Sequence, residues 1–332
     1  MTTARFKVQF AGPLVTYQDA GRRGNLRFGV AASGPMDRLA HAAVHAMLGN
    51  AEGDTCVEVS LGGLVLECLE GDVSIAVAGG AFDVQIGGGG AGSWVVHAVG
   101  PGDRITVRGG AAGSWACLAF AGSIRSERWL GSAATHSIAG LGGGALAAGD
   151  LITVDDAVVR PERAGSYEAP SASGGPLRVV VGPQDRLFAQ GAVETLTSAT
   201  FRLTGAFDRM GVRLDGPALR PENALSIPSA SVLKGSIQVS GDGVPTVLLA
   251  DHQTTGGYPK IATVISADLD RLVQMRTGDA VRFQAISPEE AIAAARARHA
   301  RDRQVLADLA APRSSFEERL MRANLISGAV AD

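Results

Sequence analysis

Gly102-Asp103-Arg104-Ile105-Thr106-Val107, Gly149-Asp150-Leu151-Ile152-Thr153-Val154 and Gly278-Asp279-Ala280-Val281-Arg282-Phe283 are three versions of one phrase. In each, a Gly-Asp turn feeds a short segment rich in β-branched or aromatic residues, the signature of a strand leaving a tight turn. Two copies lie in the first half of the chain and one near residue 280, a weak internal repeat that suggests two related β domains. Around these phrases the pattern continues. Cys56–Val59, Leu64–Cys68, Val73–Val77, Phe82–Ile86, Arg104–Val107, Ala116–Phe120 and Leu151–Val154 read as short strands, separated by glycine-bearing turns as in a barrel or sandwich. A second set fits Leu177–Val181, Phe201–Leu203, Val212–Leu214, Ser236–Val239, Val247–Ala250, Ile261–Val264 and Ala280–Gln284. The 44 glycines among 332 residues are nearly double the usual ~7%, and without a collagen period they belong to turns.

Outside the strands a few segments stand out. Phe6, Val8 and Phe10 alternate with polar neighbours as an opening strand. Residues 33–48 predict a helix with Ser33 as N-cap, Pro35 in the first turn and Gly49 as terminator. Phe188–Glu194 suggests a short helix, and residues 161–176 lack periodicity and read as a linker. Ser287 and Glu290 form a capping box ahead of an Ala/Arg-rich helix, with another helix at about Ser315–Ala323. The division is therefore residues 1–160, a linker 161–176, a second β domain 177–287 and a helical tail 288–332, expected to be an appendage with little apolar surface to bury.

Several function classes are disfavoured. A net charge of −3 and 5% aromatics do not suit nucleic acid as the main partner. No apolar run approaches the ~20 residues needed to span a bilayer, nor does the start resemble a secretory signal. Cys56, Cys68 and Cys117 sit in apolar stretches without CxxC spacing, so they read as reduced core thiols of a cytoplasmic protein. The glycine-dense Gly87–Gly90 and Gly142–Gly144 lack the Gly-Lys-Ser/Thr of a phosphate loop, and no Gly-x-Ser-x-Gly elbow occurs. His41 and His45 are four residues apart, but they fall on the flank of the apolar stripe without the glutamate of a zincin; surface histidines, and no metal, are expected.

The segment with the most chemistry is Leu248-Leu249-Ala250-Asp251-His252-Gln253-Thr254-Thr255-Gly256-Gly257-Tyr258-Pro259-Lys260-Ile261. An apolar strand ends in a carboxylate, an imidazole, an amide and two hydroxyls; two glycines then allow close backbone approach, and a phenol and an ammonium follow. The expected roles are His252 and Asp251 as base and orienter, Lys260 as electrostatic stabiliser, and Gln253, Thr254 and Thr255 as amide readers, with Gly256, Gly257 and Tyr258 lining the same site. The competing reading is a polar loop bonding its own backbone. Two further clusters, Gln18 with Asp19 and Arg22, and Asp208-Arg209 with Arg213, are candidates to converge on it. Arg22 and Arg213 offer bidentate forks to a carboxylate, whereas Asp208 and Arg209 are equally well a structural ion pair.

These stretches, Gly12-Pro13-x-x-Thr16-x-Gln18-Asp19-x-Gly21-Arg22, Ser33-Gly34-Pro35-Met36-Asp37, Leu48-Gly49-Asn50, Gly182-Pro183-Gln184, Asp208-Arg209-Met210-Gly211-x-Arg213-Leu214, Gly235-Ser236-Ile237-Gln238-Val239 and Asp251-x-Gln253-Thr254-Thr255-Gly256-Gly257-Tyr258-Pro259, resemble in fixed order the allophanate hydrolase subunit 2 family. That family includes the C-type subunits of 5-oxoprolinase and the matching half of the urea carboxylase carboxyltransferase domain. The resemblance covers residues 5 to about 290. It implies a mainly β protein of two cyclophilin-like β-barrel modules. It also implies a complex with a subunit-1-type sister protein, the B-type partner in a 5-oxoprolinase. An A-type lactam-utilisation protein, or a biotin carboxylase with its carrier, would be a third component. The implied activity is ATP-dependent opening of 5-oxoproline; the alternatives are carboxyl transfer from carboxybiotin to urea or a similar amide, and a regulatory binding protein of the kinase-inhibitor-antagonist type. No Met-Lys-Met biotin-attachment motif and no recognisable ATP site occur, so ATP or biotin is expected to come through partners, and the chain alone to be inactive.

Overall fold

The computed structural model describes residues 2–171, 174–222 and 227–312. Among these residues the strands form a seven-stranded, a six-stranded and an eight-stranded sheet, with a two-stranded ribbon beside them. The first two belong to the N-terminal half. One runs in the order Ser123–Ile124, Leu151–Asp155, Thr3–Ala11, Leu64–Glu70, Arg104–Ala112, Ala81–Ile86, Gly89–Gly92. The other runs Gly165–Ser166, Val95–Val99, Val73–Ala78, Trp115–Phe120, Cys56–Ser60, Thr16–Gln18. Their inward residues, among them Phe6, Leu66, Phe82, Val107, Val57 and Phe120, share one core. The third sheet belongs to the C-terminal half. Its two edges, Ala280–Val281 and Phe283–Ala285, are consecutive pieces of one chain segment interrupted at Arg282, so the sheet nearly closes on itself as a barrel. Closure removes the exposed edges that an open sheet must otherwise protect.

The three repeated phrases are one physical device. Gly102, Gly149 and Gly278 all have φ between 90° and 100°. In each turn the aspartate amide donates to the carbonyl three residues back, Gly100, Ala147 and Arg276, at 3.0, 3.1 and 2.9 Å. The aspartate carboxylate in return accepts the amide of that same residue, at 2.9, 2.7 and 2.8 Å. Glycine supplies the left-handed position of the turn and Asp locks it from outside.

The expected mainly β architecture holds, with several local corrections. Phe6 and Val8 are buried, but Phe10 is 48% exposed. A register shift between Val8 and Phe10 breaks the alternation there. The first helix, α1, is Arg38–Leu48, and its cap is Asp37, whose carboxylate accepts from the Ala40 amide; Ser33 lies upstream of it. Gly49 closes α1 in the left-handed conformation as expected. The short helix α2 is Ala192–Ser198, four residues beyond its predicted start at Phe188. Part of the expected linker is structured, because Gly165–Ser166 pairs with Val95 and Val96. Leu269–Val273 is α3 and Pro288–Ala310 is α4, opened by the predicted capping box.

Helix α4 is no appendage. It packs on α1, and Leu309 is buried in the N-terminal core with Val305 and Leu306 against it. Arg298 of α4 reaches Asp270 of α3 at 3.3 Å. The second tail helix expected at 315–323 lies outside the described residues. The two halves also share a core, since Met36 and Trp115 pack among C-terminal residues such as Leu203 and Leu272. No helix among the described residues is long and apolar enough to cross a membrane.

Candidate active site at the junction of the two halves

Arg209 decides how the halves meet. It stands just before the strand Gly211–Asp215, and its side chain is fully buried. Its Nε and Nη2 donate to the two oxygens of Asp251 at 2.9 and 3.1 Å. Its Nη1 pairs with Glu58 of the N-terminal half, and Nη2 also donates to the Gly34 carbonyl at 2.7 Å. Glu58 accepts in turn from the Met36 amide at 2.6 Å, and Asp251 accepts from the Ser137 amide at 3.0 Å. One guanidinium thus binds a carboxylate from each module.

The electrostatics follow from burial and pairing. Burial pushes the Asp251 carboxyl up, but Arg209, through charge and hydrogen bonds, outweighs burial and holds it below the ordinary range. For Glu58 burial wins, and its carboxyl is raised despite Arg209 and the Met36 amide. Burial disfavours the Arg209 cation, yet Glu58 and Asp251 together hold its proton more firmly than usual.

This arrangement corrects the expected role of Asp251. Its oxygens are engaged by Arg209 and Ser137, so it does not orient His252. His252 is buried, with Nδ1 2.5 Å from the Gln253 carbonyl. That acceptor requires the proton on Nδ1, which leaves Nε2 as a free lone pair. Burial, the nearby Lys234 ammonium adding to it, lowers the imidazole pKa, so His252 is neutral at pH 7. Lys234, which no sequence motif marks, sits in the turn before Ser236–Val239. Burial and the cations of Arg38 and Arg209 pull its ammonium down to about 8, against Asp270 and Glu58.

Lys260 is set apart. It opens the strand Lys260–Val264, its amide held by Gln184 Oε1 at 3.0 Å, and its Nζ is buried without a hydrogen-bond partner among the described residues. Burial alone lowers its pKa. Its ammonium meets no charged partner among the described residues.

The cluster of Gln18, Asp19 and Arg22 is bound to the loop of residues 129–135. Asp19 accepts from the Gly21 amide, the Ser132 hydroxyl and the Ala133 amide, at 2.9, 2.6 and 2.6 Å. This fixes the loop against which Arg22 lies. Arg22 donates to the carbonyls of Ala134 and Trp129 and stacks over the Trp129 ring at 4.9 Å. Burial lowers its pKa, opposed by Asp19 and Asp251. Arg22 Nη1, Ser33 Oγ and Gln18 Oε1 are buried without protein partners among the described residues. Unsatisfied buried polar atoms are costly in a native fold.

Asp208 and Arg213 do not join Arg209. Asp208 does not pair with Arg209; it closes its own turn by accepting from the Met210 and Gly211 amides at 2.7 and 3.1 Å. Arg213 forms an exposed pair with Asp242 at 2.8 Å. Both line an open cleft of about 530 Å³ with Phe207, Gln238, Gln253 and Tyr258. Gln253 Nε2 donates to Gln238 Oε1 at 2.8 Å. Thr255 and Gly256 pair with Ser231 and Ala230, Thr254 and Gly257 bond to Val232 and Ile227 through their carbonyls, and a Cβ on Gly256 would collide with the Gln238 amide. Glu58 and Gln238 carry a sequence signal: each is a buried long polar side chain flanked on both sides by apolar residues within a strand.

The model of the carboxyltransferase domain, subdomain A and B, matches residues 28–285. The chain belongs to that family. Among its relatives, the C-type subunit of 5-oxoprolinase from Haemophilus influenzae is 34% identical over 280 residues, covering 83% of this chain and 89% of that protein. The Lachancea kluyveri urea amidolyase is 28% identical over 317 residues, covering 85% of this chain but 17% of that much longer protein. The crystal structure of the Kluyveromyces lactis urea carboxylase superposes with a TM-score of 0.81 at 24% identity, over 96% of this chain and 30% of that one. The chain thus spans most of the Haemophilus influenzae subunit and a part of each of the two longer proteins, and the motif-based resemblance holds.

Proposed function

We propose that this chain is the C-type subunit of a cytoplasmic 5-oxoprolinase-like enzyme that binds a small cyclic amide at the junction of its two modules. The observation that carries the reading is the similarity to the Haemophilus influenzae 5-oxoprolinase component across 89% of that protein's length. The buried polar groups of the junction suit the chemistry. Opening a lactam breaks its C–N bond; water adds a hydroxyl to the carbonyl carbon and a proton to the nitrogen. Neutral His252 is suited to take the proton from water and return it to the leaving nitrogen. Lys234 and Lys260 are the cations available to a developing oxyanion, and Arg22 Nη1 is a donor for the substrate carboxylate. Gln253, Thr254 and Thr255 remain the proposed amide readers. ATP binding falls to the partners, an A-type lactam-utilisation protein together with a B-type sister of this chain.

The test is reconstitution. The chain with A- and B-type partners should convert 5-oxoproline, ATP and water to glutamate, ADP and phosphate, and the chain alone should not. A second reading, carboxyl transfer from carboxybiotin to urea, rests on the similarity to urea amidolyase over 85% of this chain. Urea-dependent turnover with a biotin carboxylase and carrier, and none with 5-oxoproline, would select it. Absence of both activities, with tight binding to a kinase inhibitor, would instead leave the regulatory reading.

A further inference from the structure

We propose that His41, His45 and Cys56 form a binding site for a zinc-class divalent cation inside the N-terminal module, apart from the amide site. The two histidines are one turn apart on α1, where i and i+4 side chains meet on one face. Cys56 opens the strand Cys56–Ser60 beneath that helix. One ligand atom from each residue lies within 4.8 Å of the others, and all three residues are buried. The sequence expectation of surface histidines fails because both rings are buried against the segment that follows α1, where the Asp54 carbonyl and Asn50 meet them.

Two details point to a ligand. His45 Nε2 is buried without a hydrogen-bond partner among the described residues, while Asn50 Nδ2 approaches the other ring nitrogen at 3.4 Å. The Asp54 carbonyl, 3.0 Å from His41 Nε2, also bears on the His45 ring and is placed to add an oxygen. A satisfied core pair would need only His41 with its carbonyl and the edge-on ring contact at 4.9 Å. It would not account for His45 Nε2 being left without a hydrogen bond while a ligand atom of Cys56 lies within 4.8 Å of one from each histidine.

The donor set selects the cation. Two imidazoles and a thiolate suit zinc or cobalt and not magnesium or calcium, which prefer oxygen. Around tetrahedral zinc, with bonds of ~2.0–2.3 Å, ligand atoms sit roughly 3.3–3.6 Å apart, so side-chain shifts of about 1 Å close the site. Cys117, on the neighbouring strand, hydrogen-bonds with Cys56 and is a second sulfur beside the site, not one of the three ligands. Such a cation would fasten α1 to the strand that also carries Glu58, and so support the junction from behind.

The whole chain should be unfolded with chelator and reductant, then refolded with Co2+ alone. The expected result is about one cobalt per chain, retained through gel filtration, with visible d–d bands and a near-ultraviolet thiolate-to-cobalt band, and displaced by Zn2+. Cys56→Ala should abolish the thiolate band while Cys117→Ser keeps it, and His45→Leu should lose the ion. Less than a tenth of an equivalent in the wild-type chain, whether or not the variants fold, overturns the proposal. So does a charge-transfer band that depends on Cys117 and not on Cys56.

Discussion

Replacing Arg209 with Met tests whether the junction rests on one buried guanidinium. The substitution keeps most of the side-chain volume but removes the bonds to Asp251 at 2.9 and 3.1 Å, the pair with Glu58 and the bond to the Gly34 carbonyl. Two buried carboxylates then face each other without a cation. Breaking a buried pair by removing one partner costs roughly 3–5 kcal/mol. Two stranded carboxylates put this case at the upper end, unless one protonates. For a chain of this size, at ~2 °C per kcal/mol, Tm should fall by about 6–10 °C at pH 7.5. The pH dependence gives a sharper check. Glu58 is already raised by burial, and without Arg209 both carboxyls should rise further. A raised carboxyl destabilises the fold above its folded pKa, and this penalty disappears as pH falls below the unfolded value of ~4. The variant should therefore recover part of its deficit between pH 7.5 and 5. The triple variant Glu58→Gln, Arg209→Met, Asp251→Asn should regain much of the loss, because neutral replacements of buried ion clusters often break even. Urea unfolding of these proteins at the two pH values decides the matter. A loss in Arg209→Met below about 1 kcal/mol, or no gain in the triple variant, refutes the reasoning.

Further perturbations separate chemistry from structure. In the reconstituted enzyme His252→Asn should lower kcat/KM at least ~100-fold, the scale of a lost general base, with little change in Tm; wild-type turnover would remove His252 from the mechanism. Lys260→Met should also lower activity but raise Tm, because it relieves a buried ammonium without a partner; a fall in Tm would show that the ammonium has a structural role. Lys234→Gln should flatten an alkaline fall in activity with a midpoint about 8, since the ammonium is charged below that value and neutral above it. An unchanged pH profile would rule Lys234 out. Its stability effect has the opposite pH sense: the lowered pKa penalises the wild-type fold below about 8 and fades as pH rises toward the unfolded value of ~10.4. Leu309→Ala should cost roughly 2–5 kcal/mol if α4 completes the N-terminal core; an unchanged unfolding midpoint would restore α4 to the status of an appendage.

What could be read from the chain was what is local. A Gly-Asp turn is written in two adjacent residues, so the three repeated phrases announce the strands they launch without knowledge of the rest of the fold. The capping box at Ser287 is local in the same way, and so is the αL cap at Gly49. The errors share one cause, a partner outside the element being read. His41 and His45 read as surface residues because a helix wheel knows only its own helix, and their rings are met by Asn50 and the Asp54 carbonyl from the segment that follows it. Asp251 read as the orienter of its neighbour His252, when Arg209 and Ser137 claim its oxygens from 42 and 114 positions away. Lys234 carried no signal at all, because its depressed pKa comes from burial and from the cations of Arg38 and Arg209 that only the fold gathers. The motifs therefore found the right loops and misassigned the bonds within them. In this chain the carboxylate next to the candidate base is occupied in holding the two modules together. The groups left free to meet a ligand, Arg22 Nη1, His252 Nε2 and Lys260 Nζ, are those whose neighbours in sequence are bound to something else.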